Sequence, residues 1–258
     1  MKVREIDFSK YSSIKVGSTQ NVLVLEDGDE IPKDHFIIGG ANNLLVSPTP
    51  PPLMMLGKSF DYMRIEDGYL EVGCATKTGR LLSFAKKNNI ANLEFIAKLP
   101  GTIGGMVAMN AGVKSYEIFN QIIEVELNGK WIKRKDIEYG YRFAKLNGIA
   151  TKVRLNLEYG FSEELKDELI KLRNNQPKEP SAGSAFKNPK GDYAGRLIEA
   201  VGLKGYQKGG MAWSNIHSNF LVNLGDGTFD EAIELIELAK NRVYKEFGVM
   251  LEEEVQII

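Results

Sequence analysis

Ser184 stands in the stretch PSAGSAFKNP, residues 180–189, with Lys187 and Asn188 close behind it. A hydroxyl in such a place can attack a substrate, close a turn, or give up a proton. Attack needs a base, usually a histidine. The chain has only His35 and His217, and neither has a recognisable triad context. The G-x-S-x-G nucleophile elbow is also missing. Proton donation is a different demand: nearby charge must help the hydroxyl release its proton, and Lys187 is three residues on. The plain alternative is that Gly183-Ser184 is a turn ahead of a strand. Arg142, in EYGYRF, offers a planar fork to a carboxylate, or else is a solvated surface arginine. In the closing LEEEV, an extended chain would put Glu252 and Glu254 on one face and Glu253 on the other. Those carboxylates either decorate an edge strand or send one member into a cleft. Ser214, Asn215, His217, Asn219 and Asn223 crowd into AWSNIHSNFLVN, a polar window suited to a sugar or nucleotide, or to a solvated loop.

Two glycine-rich segments complete the set, IIGGANNLLV and PGTIGGMVAMNAG. Consecutive glycines let backbone amides approach a diphosphate, and Asn42, Asn43 and Asn110 could add side-chain donors. Neither segment is G-x-G-x-x-G or a P-loop. Tight turns are the alternative for each; two in one half favour a dinucleotide cofactor.

These residues must be positioned by surrounding elements, and the pattern predicts many of them. NVLVLEDGDEI and HFIIGG read as strands. YMRIEDGYLEVG reads as two strands joined near Asp67-Gly68, and EVELNGKWIK as a hairpin on Asn128-Gly129. IATKVRLNLEYG alternates, with Ile149, Thr151, Val153, Leu155 and Leu157 on one face. TGRLLSFAKKNNI and DYAGRLIEAVG have helical spacing. SEELKDELIKLRNNQ predicts a helix capped by Ser162, with Leu165, Leu169 and Leu172 on one stripe, ended by Pro177. TFDEAIELIELAKNRVYKEFG predicts the longest helix, with a Thr228/Glu231 capping box and a Gly248 stop. VMLEEEVQII reads as a closing strand. Strands scattered among helices indicate an α+β fold. The helix after 161 and its exit at QPKEP mark the domain boundary, with the second domain counted from 161.

At 258 residues the chain suits one large domain or two modest ones. With 43% apolar and 26% charged residues, disordered and collagen-like classes are excluded. A net charge of −1 carries no nucleic-acid footprint. One cysteine, Cys74, allows no internal disulfide and favours a reducing compartment. No metal-ligand spacing is present. No apolar run spans a bilayer and no signal peptide opens the chain, so a cytoplasmic protein is expected.

Taken in order, IIGGANNLLV, LPGTIGGMVAMNAGV, YGYR, PSAGSAFKNP, AGRLIEAVGLKG, SNIHSNFLVN and FGVMLEEEV span nearly the whole chain. Together they resemble the UDP-N-acetylenolpyruvoylglucosamine reductases of peptidoglycan synthesis. The resemblance implies an FAD-binding region of the vanillyl-alcohol-oxidase (PCMH) type over 1–160, built of two α+β subdomains. A smaller α+β substrate-binding domain would occupy 161–258, its closing strand bringing Glu254 to the active site. It implies a monomeric enzyme in which NADPH reduces FAD, and the flavin reduces UDP-N-acetylglucosamine enolpyruvate to UDP-N-acetylmuramate. Arg142 would then hold the substrate carboxylate, Glu254 would flank the same group, and Ser184 would protonate the carbanion. FAD would lie against Gly39, Gly40, Ala41, Asn42, Asn43 and Leu44, and against Pro100, Gly101, Thr102, Gly104, Gly105, Asn110, Ala111 and Gly112. Substrate would meet Tyr141, Lys187, Asn188, Ser214 and His217. The tyrosine-bearing insertion of one family branch is missing. Two rivals remain. A related FAD-dependent oxidase for another small substrate has no reason to carry PSAGSAFKNP or LEEEV. A non-catalytic flavin or nucleotide-sugar binder needs no Arg142, Ser184 and Glu254 together.

Overall fold

Asn128 and Gly129 take left-handed φ values of 48° and 78°, the geometry that lets a two-residue hairpin follow the strand twist. They join Ile122–Leu127 to Lys130–Lys133, with Leu127 opposite Lys130. This hairpin is one edge of a five-stranded antiparallel sheet. The order from that edge is Lys130–Lys133, Ile122–Leu127, Ala150–Asn156, Tyr69–Gly73 and Met63–Glu66. The alternation in Ala150–Asn156 is realised: Thr151, Val153 and Leu155 are buried, while Lys152, Arg154 and Asn156 are half-exposed. On the polar face Arg154 pairs with Glu124 at 2.7 Å and Glu71 at 3.2 Å. Its guanidinium also lies 4.1 Å from the Trp131 ring centre. The apolar face packs into one core with the helices Thr78–Lys87, Ile103–Ala108 and Glu163–Lys171, through Leu81, Val107 and Leu169 among others. Each large side chain sealed there contributes about 1.5–3 kcal/mol.

The structure is a computed structural model describing all 258 residues, and the chain divides into two units. The first comprises Met1–Arg4, Val22–Gly40 and Pro52–Asn174. Besides the five-stranded sheet it contains parallel pairings, Val22 to Leu25 against Leu53–Leu56 and Phe36–Ile38 against the same strand. The second comprises Glu5–Asn21, Ala41–Pro51 and Asn175–Ile258. In this region the units divide at the exit of the helix, between Asn174 and Asn175. Ser162 does cap the helix Glu163–Lys171, its hydroxyl accepting from Leu165 N–H at 3.1 Å, and the Ser162 N–H donates to the buried Glu94 carboxylate at 2.8 Å. With Leu169 also buried in the first core, the helix belongs to that unit. Leu172 falls past its end and is exposed.

The second unit is built on a four-stranded antiparallel sheet in the order Ser181–Ser184, Phe220–Asn223, Met211–Trp213, Gln207–Lys208. The helices Ala194–Ala200 and Phe229–Phe247 share a core with it around Trp213, Phe186, Leu197 and Ile236. The capping box of Thr228 and Glu231 forms as expected, and Gly248 stops the long helix at φ 67°. The segment Glu5–Asn21 joins this unit by specific bonds: Asn223 Nδ2 donates to the carbonyls of Ile14 and Lys15, at 3.1 Å each. The expected closing strand forms only in part. Gln256–Ile257 pairs in parallel with Leu44–Leu45, and the chain bends at Glu254 and Val255.

Candidate active site

Ser184 sits on a bulge. Along its strand Ser181 opposes Val222, but Ser184 opposes Phe220, so one extra residue lies on the Ser184 side. Gly183 absorbs it with φ 80°. Such bulges bend a strand and re-aim a side chain. The two readings of Gly183-Ser184, turn and presented hydroxyl, thus merge. Ser184 is half-buried, and its hydroxyl makes no hydrogen bond within the protein. The backbone just past the bulge is fixed by Asn219, whose backbone carbonyl accepts from Ala185 N–H at 2.8 Å. The Asn219 side chain accepts from Phe186 N–H at 3.0 Å and donates to Phe186 O at 2.7 Å.

The closing segment runs along the other edge of this strand. Lys187 N–H donates to Glu252 O and Glu254 N–H to Ala185 O, both at 2.8 Å. Glu254 is half-buried and one backbone bond from the residue after Ser184. The structure therefore brings Ser184 and Glu254 together. Its two neighbours have other partners: exposed Glu252 pairs with Lys187, and Glu253 with Lys240 at 2.8 Å. The regular alternation expected of Glu252, Glu253 and Glu254 is replaced by a bent chain with three separate partners. Lys187 is accordingly engaged by a carboxylate. Asn188 Oδ1 accepts from Ala194 N–H at 3.1 Å and starts the helix Ala194–Ala200. Ser214 is a turn residue, its hydroxyl accepting from the N–H groups of Ile216 at 3.0 Å and His217 at 3.3 Å. His217 Nδ1 accepts from Asn219 N–H at 3.3 Å, and burial holds its pKa below the usual imidazole range.

In the first unit Arg142 lies in the tight connection between Tyr139–Gly140 and Phe143–Ala144. It adopts φ 62°, unusual for a residue with a side chain. Its guanidinium is 5.0 Å from the ring centre of exposed Tyr141 and donates to Gly112 O at 3.4 Å. Arg173, which sequence reasoning passed over, shares this surrounding. Its Nε is buried without an acceptor, and burial, then the Arg142 charge, hold its pKa below the usual arginine range. An arginine at a helix exit reads as a solvated cap, so nothing in the sequence singled it out.

Asn110, expected to offer donors to a cofactor, is fully buried and spends them on the protein. Its amide donates to Glu117 at 2.8 Å and Gly140 O at 3.0 Å, and its oxygen accepts from Phe119 N–H at 3.2 Å. It therefore anchors the hairpin that presents Arg142. Asn110→Ala is expected to cost roughly 3 kcal/mol, by leaving buried polar groups unpaired, and a urea titration measures it. The second glycine segment is likewise occupied. Ile103 N–H donates to Thr76 O, Gly104 N–H to Cys74 O and Gly105 N–H to the Thr102 hydroxyl, as the short helix Ile103–Ala108 begins. These glycines provide close approach rather than free donors. A Cβ on Gly104 would lie 3.2 Å from Cys74 O, and the buried Cys74 thiol is pushed well above its usual pKa by desolvation. The two glycine segments do meet, since a Cβ on Gly39 would lie 2.5 Å from Thr102 Oγ1. In the first segment Ala41 has φ 49°, and the backbone N–H groups of Gly40, Ala41 and Asn42 donate to no protein acceptor. Consecutive unspent amides suit an anion such as a diphosphate.

A bulged strand presenting a hydroxyl, the backbone of Glu254 bonded to the next residue of that strand, and a separate glycine-rich unit carrying the two arginines Arg142 and Arg173 describe a two-unit α+β enzyme. Known proteins place it among the oxidoreductases. The family described as UDP-N-acetylenolpyruvoylglucosamine reductase, C-terminal domain, matches residues 176–258, beginning one residue after the last segment of the second unit starts. The UDP-N-acetylenolpyruvoylglucosamine reductase of Helicobacter hepaticus is 47% identical, with 100% of both chains covered. That of Campylobacter jejuni strain RM1221 is 47% identical, covering 98% of this chain and 99% of its own. The crystal structure of the Thermus caldophilus UDP-N-acetylenolpyruvylglucosamine reductase superposes with a TM-score of 0.84 at 30% identity, covering 100% and 99% of the two chains. The chain belongs to the UDP-N-acetylenolpyruvoylglucosamine reductase family.

Proposed function

We propose that this protein reduces the enolpyruvyl group of UDP-N-acetylglucosamine enolpyruvate to give UDP-N-acetylmuramate for peptidoglycan synthesis, with FAD as cofactor and NADPH as reductant. The observation that carries the reading is the edge joining Ser184 to Glu254, because a proton donor and a second acid are what this reduction requires of the protein. Family membership supplies the substrate. The first unit, together with the loop residues Ala41 and Asn42 that follow Gly40, is read as the FAD-binding region, of the vanillyl-alcohol-oxidase type, and the rest of the second unit as the substrate domain. The donor set fits a flavin dinucleotide: the amides of Gly40, Ala41 and Asn42 would hold its diphosphate. Gly39 and Thr102 set the close approach of the two loops.

FAD held there would supply the hydride chemistry that links NADPH to the terminal carbon of the enolpyruvyl double bond. The protein handles what that addition leaves behind. The π electrons move to the carbon beside the substrate carboxylate, giving it enolate character. Arg142, with Arg173 behind it, would hold that carboxylate and absorb the developing charge. Glu254 would carry a proton at this stage, since a bare carboxylate would oppose the charge. Ser184 Oγ–H would give its proton to the carbanion, completing the new C–H bond. The hydroxyl then recovers a proton through a relay, because its own pKa is poorly matched to the task.

Anaerobic reduction with NADPH, followed by the enolpyruvyl UDP-sugar, tests the whole reading. Bleaching at the first addition and return of the oxidised flavin spectrum at the second are expected. A purified protein that takes up no flavin, or a reduced protein indifferent to the sugar, sinks it.

A further inference from the structure

Asn43 is expected from the sequence to lie against the cofactor, yet its side chain is turned to the closing segment. We infer that Asn43 is a positioning residue for Glu254, extending the grip of the first glycine segment onto that acid. This rests on the reading of Glu254 given under Proposed function.

Asn43 holds the closing segment at two points that bracket Val255. Its side-chain Nδ2 donates to Glu254 O at 2.9 Å, and its backbone carbonyl accepts from Gln256 N–H at 3.0 Å. Beyond it the backbone ladder continues without side chains: Gln256 opposes Leu44, Ile257 opposes Leu45, and Ile258 N–H donates to Leu45 O at 3.1 Å. The side chain of Asn43 therefore adds one rung where the chain bends away and backbone pairing stops. On its other side the Glu254 N–H is taken by Ala185 O at 2.8 Å. Both polar groups of the Glu254 backbone are thus held, one beside Ser184 and one by Asn43. Fixing these groups fixes where the Glu254 side chain starts.

The side-chain ion pairs on this segment do not do the same, and the backbone bonds from Lys187 N–H to Glu252 O and from Val255 N–H to Ala185 O flank Glu254 rather than take its carbonyl. Lys187–Glu252 and Lys240–Glu253 join side chains, and Glu252 is largely exposed, so these pairs contribute little to backbone placement. An asparagine at position 43 matches the task. An alanine has no donor, and an aspartate of the same size would set a carboxylate against the Glu254 carbonyl. Asn43 also follows directly on the unspent amides of Gly40, Ala41 and Asn42, so one short loop serves both an anion and the acid.

The test compares Asn43→Ala, Asn43→Asp, Glu254→Gln and the double variant N43A/E254Q as flavin-loaded enzymes, with the two half-reactions timed separately. Asn43→Ala should keep its flavin content and its rate of reduction by NADPH. Its reoxidation by the enolpyruvyl UDP-sugar should slow by about 10- to 100-fold, the scale of a misplaced catalytic group. Asn43→Asp should be slower still in that step, whereas a space-filling role would leave it near the wild-type rate. In the double variant, losing Asn43 should add almost nothing to the loss from Glu254→Gln, because both changes act through one group. If Glu254→Gln is slow and Asn43→Ala reoxidises at full rate, the positioning role fails by itself. Fully additive losses in the double variant, or loss of flavin with the side-chain amide, also overturn it. Full turnover by Glu254→Gln would instead remove the reading of Glu254.

Discussion

Ser184→Ala is expected to slow reoxidation of the reduced enzyme by the enolpyruvyl substrate by about 10²- to 10⁴-fold, the contribution of a positioned general acid. Reduction by NADPH should keep its rate, because the role proposed for Ser184 falls in the later step. The local fold should also survive. The strand is held by the Asn219 bonds to Ala185 and Phe186, and Gly183 carries the bulge, so none of these contacts uses the lost hydroxyl. Ser184→Cys should recover part of the rate, a thiol being a stronger acid of similar size. Stopped-flow absorbance of the flavin separates the two half-reactions. Equal slowing of both would show that the hydroxyl serves binding or structure.

What the sequence made legible was mainly local. The Asn128-Gly129 hairpin, the alternation in Ala150–Asn156 and the capping box at Thr228 each depend on residues a few positions apart. The bulge at Gly183 left a local trace too, as a glycine ahead of the serine, although its meaning needed the register of the neighbouring strand. Residue roles set by distant partners were illegible. Asn43 and Asn110 were both recognised as donors near glycines, but their acceptors are Glu254, 211 positions away, and Gly140, 30 positions away. An asparagine looks the same whether its amide faces a ligand or a carbonyl. The N-terminal share of the second unit was illegible for the same reason. Residues 5–21 and 41–51 join the C-terminal unit through pairings such as Leu44 with Gln256, which no local pattern announces. The closing segment misled because an acidic run of three has the composition of an edge strand. The bend at Glu254 comes from Ala185 and Asn43 gripping its backbone.

Arg142 carries the second large expectation, and it has two opposed parts. Arg142→Lys keeps the positive charge but gives up the planar fork, so reoxidation by substrate should fall by about 10²- to 10³-fold, the scale seen when one oriented donor is removed from a developing charge. Arg142→Gly should lose at least as much activity and yet leave the fold no weaker. The arginine is held at φ 62° in a tight connection, a conformation that costs a residue with a Cβ roughly 1–2 kcal/mol and costs glycine little. Its charge also bears on Arg173, whose guanidinium is partly desolvated beside it. Glycine removes both penalties. Against them stand the loss of the arginine's bonds, the 3.4 Å bond to Gly112 O and the contact with Tyr141 among them, and the greater freedom of a glycine in the unfolded chain. The balance predicts a gain of about 0.5–1 kcal/mol for Arg142→Gly in a urea titration. A left-handed φ kept by a residue with a side chain is the kind of strain that gathers at functional positions. A marked loss of stability in Arg142→Gly would mean that the arginine is there to build the hairpin, and full turnover by Arg142→Lys would mean that charge alone suffices.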